Sequence, residues 1–251
     1  MNGVVLYSGR WRPSIATMVH NHRTFLVDPY HLDVVVVGVQ SQICNMHHFV
    51  SDVKKTWNLP KNRLIVSNYN YIEPHSKIDN NLSAWKREQL RNWEVQFSHV
   101  RIAFSRALKW KHHDVFIRAR IDILFTSTLV IPFVRNHVFG IISNSGWSAD
   151  RNISILKDWF YVTDVHGMSV ITNTSFAIID KSIRCFAACP EEQIMLHIRL
   201  SHIPIVSLNT KLAIESKNNW CQENYSTPVG SGIPTTTSVY DRPHSLRSHP
   251  R

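Results

Sequence analysis

The sequence predicts an α/β fold in which a central, mostly parallel sheet is flanked by helices. Strand-like and helix-like patterns alternate through the first half of the chain. Residues 32–39, LDVVVVGV, form a valine-rich run typical of a strand that is covered on both faces. A long helical pattern over residues 82–110 leads directly into another apolar run at residues 114–125. Because strands joined by helices pair in parallel through right-handed crossovers, this order predicts a parallel sheet.

The first half supplies three strands and two helices in alternation. Residues 4–8 form a short strand-like run, and residues 13–25 carry a helix-compatible pattern. After the valine-rich strand, residues 42–57 are again helix-compatible, and residues 63–67, RLIVS, form the third strand. The resulting β-α-β-α-β order is that of the parallel half of an α/β sheet.

Residues 82–110 carry the strongest helical pattern of the chain. Apolar side chains recur there at spacings of three and four residues, at Leu90, Trp93, Phe97, Val100, Phe104 and Ala107. Ser83 precedes the pattern and is the expected N-cap. The helix leads into the fourth strand, residues 114–125, which reads DVFIRARIDILF and ends in a polar loop. Ligands of open α/β sheets bind beyond the carboxyl ends of the strands, so we expect a site at this end.

The second half contains shorter elements. We expect strands at residues 128–133, 137–143, 158–162 and 204–208, helices at residues 167–179 and 190–201, and a loop at residues 144–150. Pro190 and the two glutamates that follow it suit the first turn of a helix, where the helix dipole favours negative charge.

The composition is that of one globular domain followed by a basic tail. We expect residues 1–217 to form the domain. Residues 218–251 are rich in Ser, Thr and Pro with several basic residues, and we expect them to be disordered. The formal net charge of +10 and the pI of about 9.7 favour an anionic partner, such as nucleic acid, an acidic membrane surface or a phosphorylated ligand.

Cysteine usage and the start of the chain indicate the cellular location. Cys44, Cys185, Cys189 and Cys221 have no CxxC spacing, which excludes a zinc framework and a disulfide-dense scaffold. The apolar run near the first residue is too short for a signal peptide or a membrane anchor. We therefore expect a soluble cytosolic protein, whose basic surface would allow peripheral contact with a membrane.

The fourth strand carries an unusual charged row. Arg118, Arg120 and Asp122 are two residues apart, so in a continuous strand all three would point to one face. Burying three charged groups is costly without partners. Arginine is suited to forked phosphate recognition, and a carboxylate beside a diphosphate can hold Mg²⁺ or Mn²⁺. The row therefore predicts a phosphate-binding site; the alternative is a salt-bridged edge strand in which Asp122 neutralises the arginines.

Four short segments in order resemble one enzyme class. They are SGRWR at residues 8–12, RARID at 118–122, DWF at 158–160 and PEEQ at 190–193. Together they resemble GT-A-type glycosyltransferases, in particular the WavE-like lipopolysaccharide-synthesis family and its relatives in large viruses. The resemblance covers roughly residues 3–210. It implies a GT-A-like (Rossmann-like) fold and transfer of a sugar from a nucleotide-diphosphate sugar to a hydroxyl of a glycan acceptor.

The resemblance also implies roles for the charged row. Asp122 would hold the Mn²⁺ or Mg²⁺ ion that bridges the donor diphosphate and neutralises the leaving group. Arg118 and Arg120 would support the phosphates or hold Asp122 in place. The chain lacks a plain Asp-x-Asp and has Arg120 and Asp122 instead, which leaves metal dependence open.

The segment SGRWR follows the first strand. Gly9 permits a tight turn, and Arg10 or Arg12 could reach a diphosphate. With Ser8, these residues are the candidate nucleotide contacts. The alternative is an ordinary β-α turn with solvated arginines. Trp11 would stack on a base or cover the sheet.

Transfer to a hydroxyl requires a general base in an inverting enzyme, and three carboxylates are candidates. Asp158, Glu191 and Glu192 would provide the base and a second group that holds acceptor hydroxyls. The alternatives are a strand-edge turn for Asp158 and first-turn helix capping for the glutamates. Trp147 and Trp159 would stack on sugar faces or belong to the core.

Two other functions fit the same sequence. The charge of +10 would suit a nucleic-acid-binding protein, although the basic residues are dispersed and no recognised binding module is present. A catalytically inactive member of the fold would bind glycans without transferring sugar. The histidine pairs at positions 20/22, 47/48 and 112/113 lack the spacing of a zinc helix and are interpreted as surface residues.

Overall fold

The computed structural model describes residues 2–10, 15–39, 46–69, 84–144, 154–173, 190–208, 210, 212–215 and 220–223. The strands in this part of the chain are β1 (Gly3–Arg10), β2 (Asp33–Val39), β3 (Leu64–Tyr69), β4 (Val115–Ala119), β5 (Ile123–Phe125), β6 (Val138–Asn144), β7 (Ser154–Thr163), β8 (Ile205–Ser207), β9 (Leu212–Glu215) and β10 (Trp220–Glu223). The helices are α1 (Ile15–His22), which continues as a π-helical turn (Arg23–Val27), α2 (Met46–Trp57), α3 (Ala84–Trp110), α4 (Val165–Thr172) and α5 (Pro190–Leu200).

The large sheet has seven strands in the order β3-β2-β1-β4-β7-β6-β8. The first four strands are mutually parallel, β7 is antiparallel to both of its neighbours, and β8 is parallel to β6. Three crossovers through α1, α2 and α3 connect the parallel half. The predicted α/β architecture with a mostly parallel sheet flanked by helices is therefore confirmed.

Each face of the sheet is covered by helices because its strands are apolar on both sides. One core cluster contains side chains from α1 and α2, such as Val19 and Trp57, and the other contains side chains from α3, α4 and α5. On α3 the predicted positions Phe97, Val100 and Ala107 are all buried. The long helix is thus confirmed over its described length, while its predicted N-cap at Ser83 lies outside the described residues.

The predicted fourth strand at residues 114–125 is wrong as a single element. β4 ends at Ala119, residues 120–122 form a turn in which the Ile123 N–H donates to the Arg120 carbonyl at 3.3 Å, and β5 joins a second sheet of order β10-β9-β5. The charged row therefore does not share one strand face. The chain turns because contacts from distant segments hold β5: β9 pairs with it, and the Asn21 amide bonds the N–H and the carbonyl of Phe125, both at 2.8 Å.

Three further expectations differ from the structure. Residues 128–133 contain no strand; this segment is held by the buried Leu129, whose N–H donates to the Phe25 carbonyl. The helix expected at 167–179 begins earlier, because Asp164 caps it through the N–H of Gly167, and it ends at Thr172. The strand expected at 158–162 is the middle of the longer β7.

The predicted end of the domain at residue 217 falls before β10, which pairs antiparallel with β9. Residues 224–251 of the predicted tail lie outside the described residues. In the described part of the chain, no helix combines the length and the apolar character needed to cross a membrane.

Gly38 in β2 lies directly under an aromatic ring, and this contact gives a test of the packing. A methyl group on Gly38 would lie 2.6 Å from Cε2 of Phe49 and closer still to Cζ. Because Phe49 is buried, its ring has little room to move. We expect Gly38→Ala to lower the free energy of unfolding by about 1 to 3 kcal/mol in urea denaturation.

The matched control places the same change in a Phe49→Ala background. There the added methyl group has room, so the cost of Gly38→Ala should largely disappear. An equal cost in both backgrounds would show that the ring contact is not the cause.

Candidate functional site

The candidate site lies at the carboxyl ends of β1 and β4, which are neighbours in the sheet. Leu6 pairs with Arg118 and Tyr7 pairs with Ala119, so β1 continues past the end of β4. Most of the predicted phosphate-binding residues therefore come from this edge: Ser8, Gly9 and Arg10 from β1, Arg118 from β4, and Arg120 and Asp122 from the turn that follows. The side chain of Arg10 and all of Trp11 and Arg12 lie outside the described part of the chain.

A bulge in β7 brings Asp158 to the same edge. Between the pairs Gly140–Tyr161 and Ile142–Leu156, residues 157–160 of β7 face the single residue Ile141 of β6. Bulges of this kind redirect side chains. Asp158 is 7% exposed and accepts a hydrogen bond of 2.5 Å from the Gln96 amide on α3.

Arg118 is buried inside the protein rather than exposed in the crevice. It is 1% exposed, and its Nη1 donates to the Ala119 carbonyl at 2.7 Å and, at 3.5 Å, toward that of Leu6. Burial lowers the pKa of Arg118, while the nearby Tyr161 and Asp158 act in the opposite direction. Asp158 therefore supplies part of the negative charge that compensates the buried guanidinium group.

Arg120 and Asp122 form a forked ion pair across the turn. The Arg120 Nε donates to Oδ1 of Asp122 at 2.9 Å, and Nη2 donates to Oδ2 at 2.5 Å. Their side chains are 33% and 25% exposed. Burial alone would lower the pKa of Arg120, but the bond to Asp122 and the charges of Asp122, Asp158 and Glu191 raise it above its ordinary value. The salt-bridged interpretation of the charged row thus applies to Arg120, whereas Arg118 is held by carbonyl groups.

The other predicted carboxylates lie on α5. Glu191 is half-buried in the first turn of that helix and is near enough to Arg120 for its charge to raise the pKa of the guanidinium group. The side chain of Glu192 is outside the described part.

Trp159 packs partly against the first core cluster, and the Lys157 ammonium group lies 5.4 Å from its ring centroid. Trp147 is also outside the described residues.

Three residues that the sequence patterns did not single out belong to this site. Tyr161 is the cross-strand neighbour of Arg118, and burial raises the pKa of its hydroxyl group. His99 is 1% exposed, and burial, together with the Arg118 charge, lowers its pKa to about 4. The third is Gln96, which lies one turn before His99 on α3. Polar residues within the apolar stripe of α3 were the available signal.

Several buried polar atoms at this edge have no hydrogen-bond partner among the described residues. They are the Ser8 Oγ, the His99 Nε2, the Arg118 Nη2 and the Tyr161 hydroxyl. Buried polar groups are nearly always satisfied in folded proteins, so such a concentration calls for an explanation. A polar ligand is one group that would satisfy them.

The arrangement of Asp122 does not fit a divalent metal ion. Each of its carboxylate oxygens already accepts a hydrogen bond from Arg120, whose positive charge opposes a second cation. Within the described residues, no three His, Cys, Asp or Glu side chains are placed to hold a metal. Mg²⁺ and Mn²⁺ at Asp122 stay a prediction that rests on the resemblance, and no step proposed below depends on them.

The arrangement can neutralise an anionic leaving group and can accept a proton. Arg120 provides a charged, partly exposed guanidinium group, and Glu191 provides a half-buried carboxylate nearby. These groups stand where ligands of open α/β sheets bind. Neither the protein-family models nor the curated protein sequences match this chain.

Proposed function

We propose that the protein is a glycosyltransferase that transfers a sugar from a nucleotide-diphosphate sugar to a hydroxyl group of a glycan acceptor. The observation that carries the proposal is the Arg120–Asp122 ion pair at the carboxyl end of β4, with Asp158 and Glu191 close by. Sugar transfer from such a donor requires a cation beside the diphosphate and a carboxylate beside the acceptor hydroxyl. Both kinds of group are present at this edge of the sheet.

The donor binds along the ends of β1 and β4. Arg120 contacts the diphosphate, and Ser8, Gly9, Arg10 and Arg12 contact the nucleotide. Arg118 is a positioning residue, because its bond to the Ala119 carbonyl fixes the last residue of β4 before the turn. This division of roles follows from burial, because the Arg120 side chain is one-third exposed whereas Arg118 is almost fully buried.

In the transfer step the acceptor oxygen forms a bond to the anomeric carbon, and the bond from that carbon to the diphosphate oxygen breaks. The nucleoside diphosphate leaves with the bonding electron pair, and Arg120 stabilises the added negative charge. For direct displacement, Glu191 takes the proton of the acceptor hydroxyl. Asp158 is less suited to this role because it is buried and held by Gln96. Glu192 is the second candidate for contact with the acceptor.

A thermal-shift screen of UDP-, GDP-, TDP- and CMP-sugars, with and without Mn²⁺, tests the proposal. We expect one nucleotide family to raise Tm by about 5 to 10 °C at a concentration near 100 times Kd, by mass action. The matching free nucleoside, which lacks phosphates, is the control and should have little effect.

Two outcomes would favour the other functions. If no nucleotide sugar shifts Tm while DNA or RNA binds in a salt-sensitive manner, the protein is a nucleic-acid-binding protein. If a nucleotide sugar fails to bind but a glycan does, it is an inactive member of the fold.

A further inference from the structure

Arg120 has hydrogen-bonding capacity beyond its ion pair. A guanidinium group carries five N–H donors in a planar fork. The pair with Asp122 uses Nε–H and one N–H of Nη2, so three N–H groups remain on the opposite edge. No hydrogen bond joins these three to another residue in the described ranges, and the side chain is one-third exposed. The free edge has the geometry that binds two oxygens of a phosphate group side by side.

Asp122 and Asp158 are each matched with an arginine. Asp122 is bonded to Arg120 through both of its oxygens. The charge of Asp158 acts on the buried Arg118 guanidinium group, and the Asp158 carboxylate accepts a hydrogen bond from Gln96. Divalent cations bind where carboxylates have uncompensated negative charge and open coordination positions. Neither aspartate meets that condition in this arrangement.

We propose, on the basis of the function proposed above, that Arg120 takes the place of a divalent ion at the donor diphosphate. In this assignment Asp122 is a positioning residue: its carboxylate fixes one edge of the guanidinium group so that the other edge is available to the diphosphate. The ligand class is a nucleoside diphosphate, bound without a metal. The assignment explains why the chain carries Arg-x-Asp at the end of β4, where a plain Asp-x-Asp would place two carboxylates.

Binding of UDP, GDP and TDP by isothermal titration calorimetry, in excess EDTA and in excess MnCl₂, tests the assignment. We expect one of the three to bind equally well under both conditions. Arg120→Met should weaken that binding by about 10- to 100-fold, because it removes a charge-assisted fork. Asp122→Asn keeps one oxygen that can accept from Arg120 but loses the second bond of the fork, so it should weaken binding less than Arg120→Met does, and equally in EDTA and in MnCl₂.

The matched control is Arg199→Met, which removes an exposed arginine from the last turn of α5. It should leave diphosphate binding unchanged. Melting curves without ligand confirm that each variant is folded, and Asp122→Asn decides the question even if Arg120→Met is unstable.

The outcomes separate this inference from the proposed function. If a diphosphate binds only with Mn²⁺ and Asp122→Asn abolishes that binding, the inference is overturned and the glycosyltransferase proposal stands. If the folded wild type binds none of the three diphosphates under either condition, both proposals are overturned.

Discussion

Replacing Asp158 by asparagine should lower the free energy of unfolding by about 3 kcal/mol. Asparagine keeps the shape of the side chain and can still accept from Gln96, but it removes part of the negative charge that compensates the buried Arg118 guanidinium group. The value is at the lower end of the range for breaking a buried ion pair, since Asp158 and Arg118 interact through space rather than through a direct bond. Urea denaturation at neutral pH measures the change.

Two controls identify the cause. In an Arg118→Met background the same Asp158→Asn change should cost much less, because the charge that needs compensation is gone. Asp52→Asn, at an exposed position on α2, should change stability by less than about 0.5 kcal/mol. If Asp158→Asn is as stable as the wild type and instead loses transferase activity, Asp158 is the general base and not a counter-ion.

Acidification from pH 6.5 to pH 4 should destabilise the protein by roughly 3 kcal/mol through His22 alone. The expectation that the histidine pairs lie on the surface is wrong for His22, which is fully buried. Its Nε2–H donates to the Ile123 carbonyl at 2.6 Å, and its Nδ1 accepts from the Tyr7 hydroxyl at 2.8 Å. Burial lowers its pKa from 6.5 to about 4. His99, with a similar pKa, adds to the effect in the same direction.

Stability falls on acidification because the unfolded chain binds these protons at a higher pH than the folded protein does. Between pH 6.5 and pH 4 the unfolded chain protonates these histidines while the folded protein does not. The contribution of these histidines to the free energy of unfolding is therefore fully present above pH 6.5 and decreases as the pH falls toward 4. Below pH 4 it changes no further.

The difference between wild type and His22→Gln isolates the contribution of His22 from that of the carboxylates. Urea denaturation across this pH range should show a shallower loss of stability in His22→Gln. His20→Gln, at an exposed position on α1, is the control and should follow the wild-type curve. Parallel curves for wild type and His22→Gln would contradict the prediction.

Most of the parallel half of the sheet could be predicted from local patterns. The valine-rich β2 and the long α3 each have a period that matches one type of structure, and both lie where their patterns predict them. Their order along the chain then restricts the topology, because right-handed crossovers leave few arrangements. No local sequence pattern predicts that β7 pairs antiparallel between β4 and β6. That position depends on the unpaired edge that β4 offers to a strand much later in the chain.

The candidate site also combines features that local sequence patterns predict with features that depend on contacts between distant segments. The arginines and the carboxylate near the end of β4 predict a phosphate-binding site by their chemistry, with a salt-bridged strand as the alternative. The relative placement of Arg118, Arg120 and Asp122 could not be derived from the sequence. The alternation of side chains along a continuous strand implies one shared face, whereas β4 ends at Ala119. Gln96 and His99 are marked in the sequence only as polar residues within the apolar stripe of α3, because their place at the site comes from Asp158 on β7 and Arg118 on β4, far away in the sequence.

Local periodicity and residue chemistry were therefore enough to identify most elements of the parallel half and the edge of the sheet where the candidate site lies. Contacts between distant segments decided which charges are buried. Pairing of β5 with β9 and with the Asn21 amide accompanies a turn after Ala119, in which Arg120 and Asp122 pair. Arg118 lies within β4 between two neighbouring strands and is buried. A strand pattern specifies side-chain alternation only as long as the strand continues, and where it stops is set by the partners it finds.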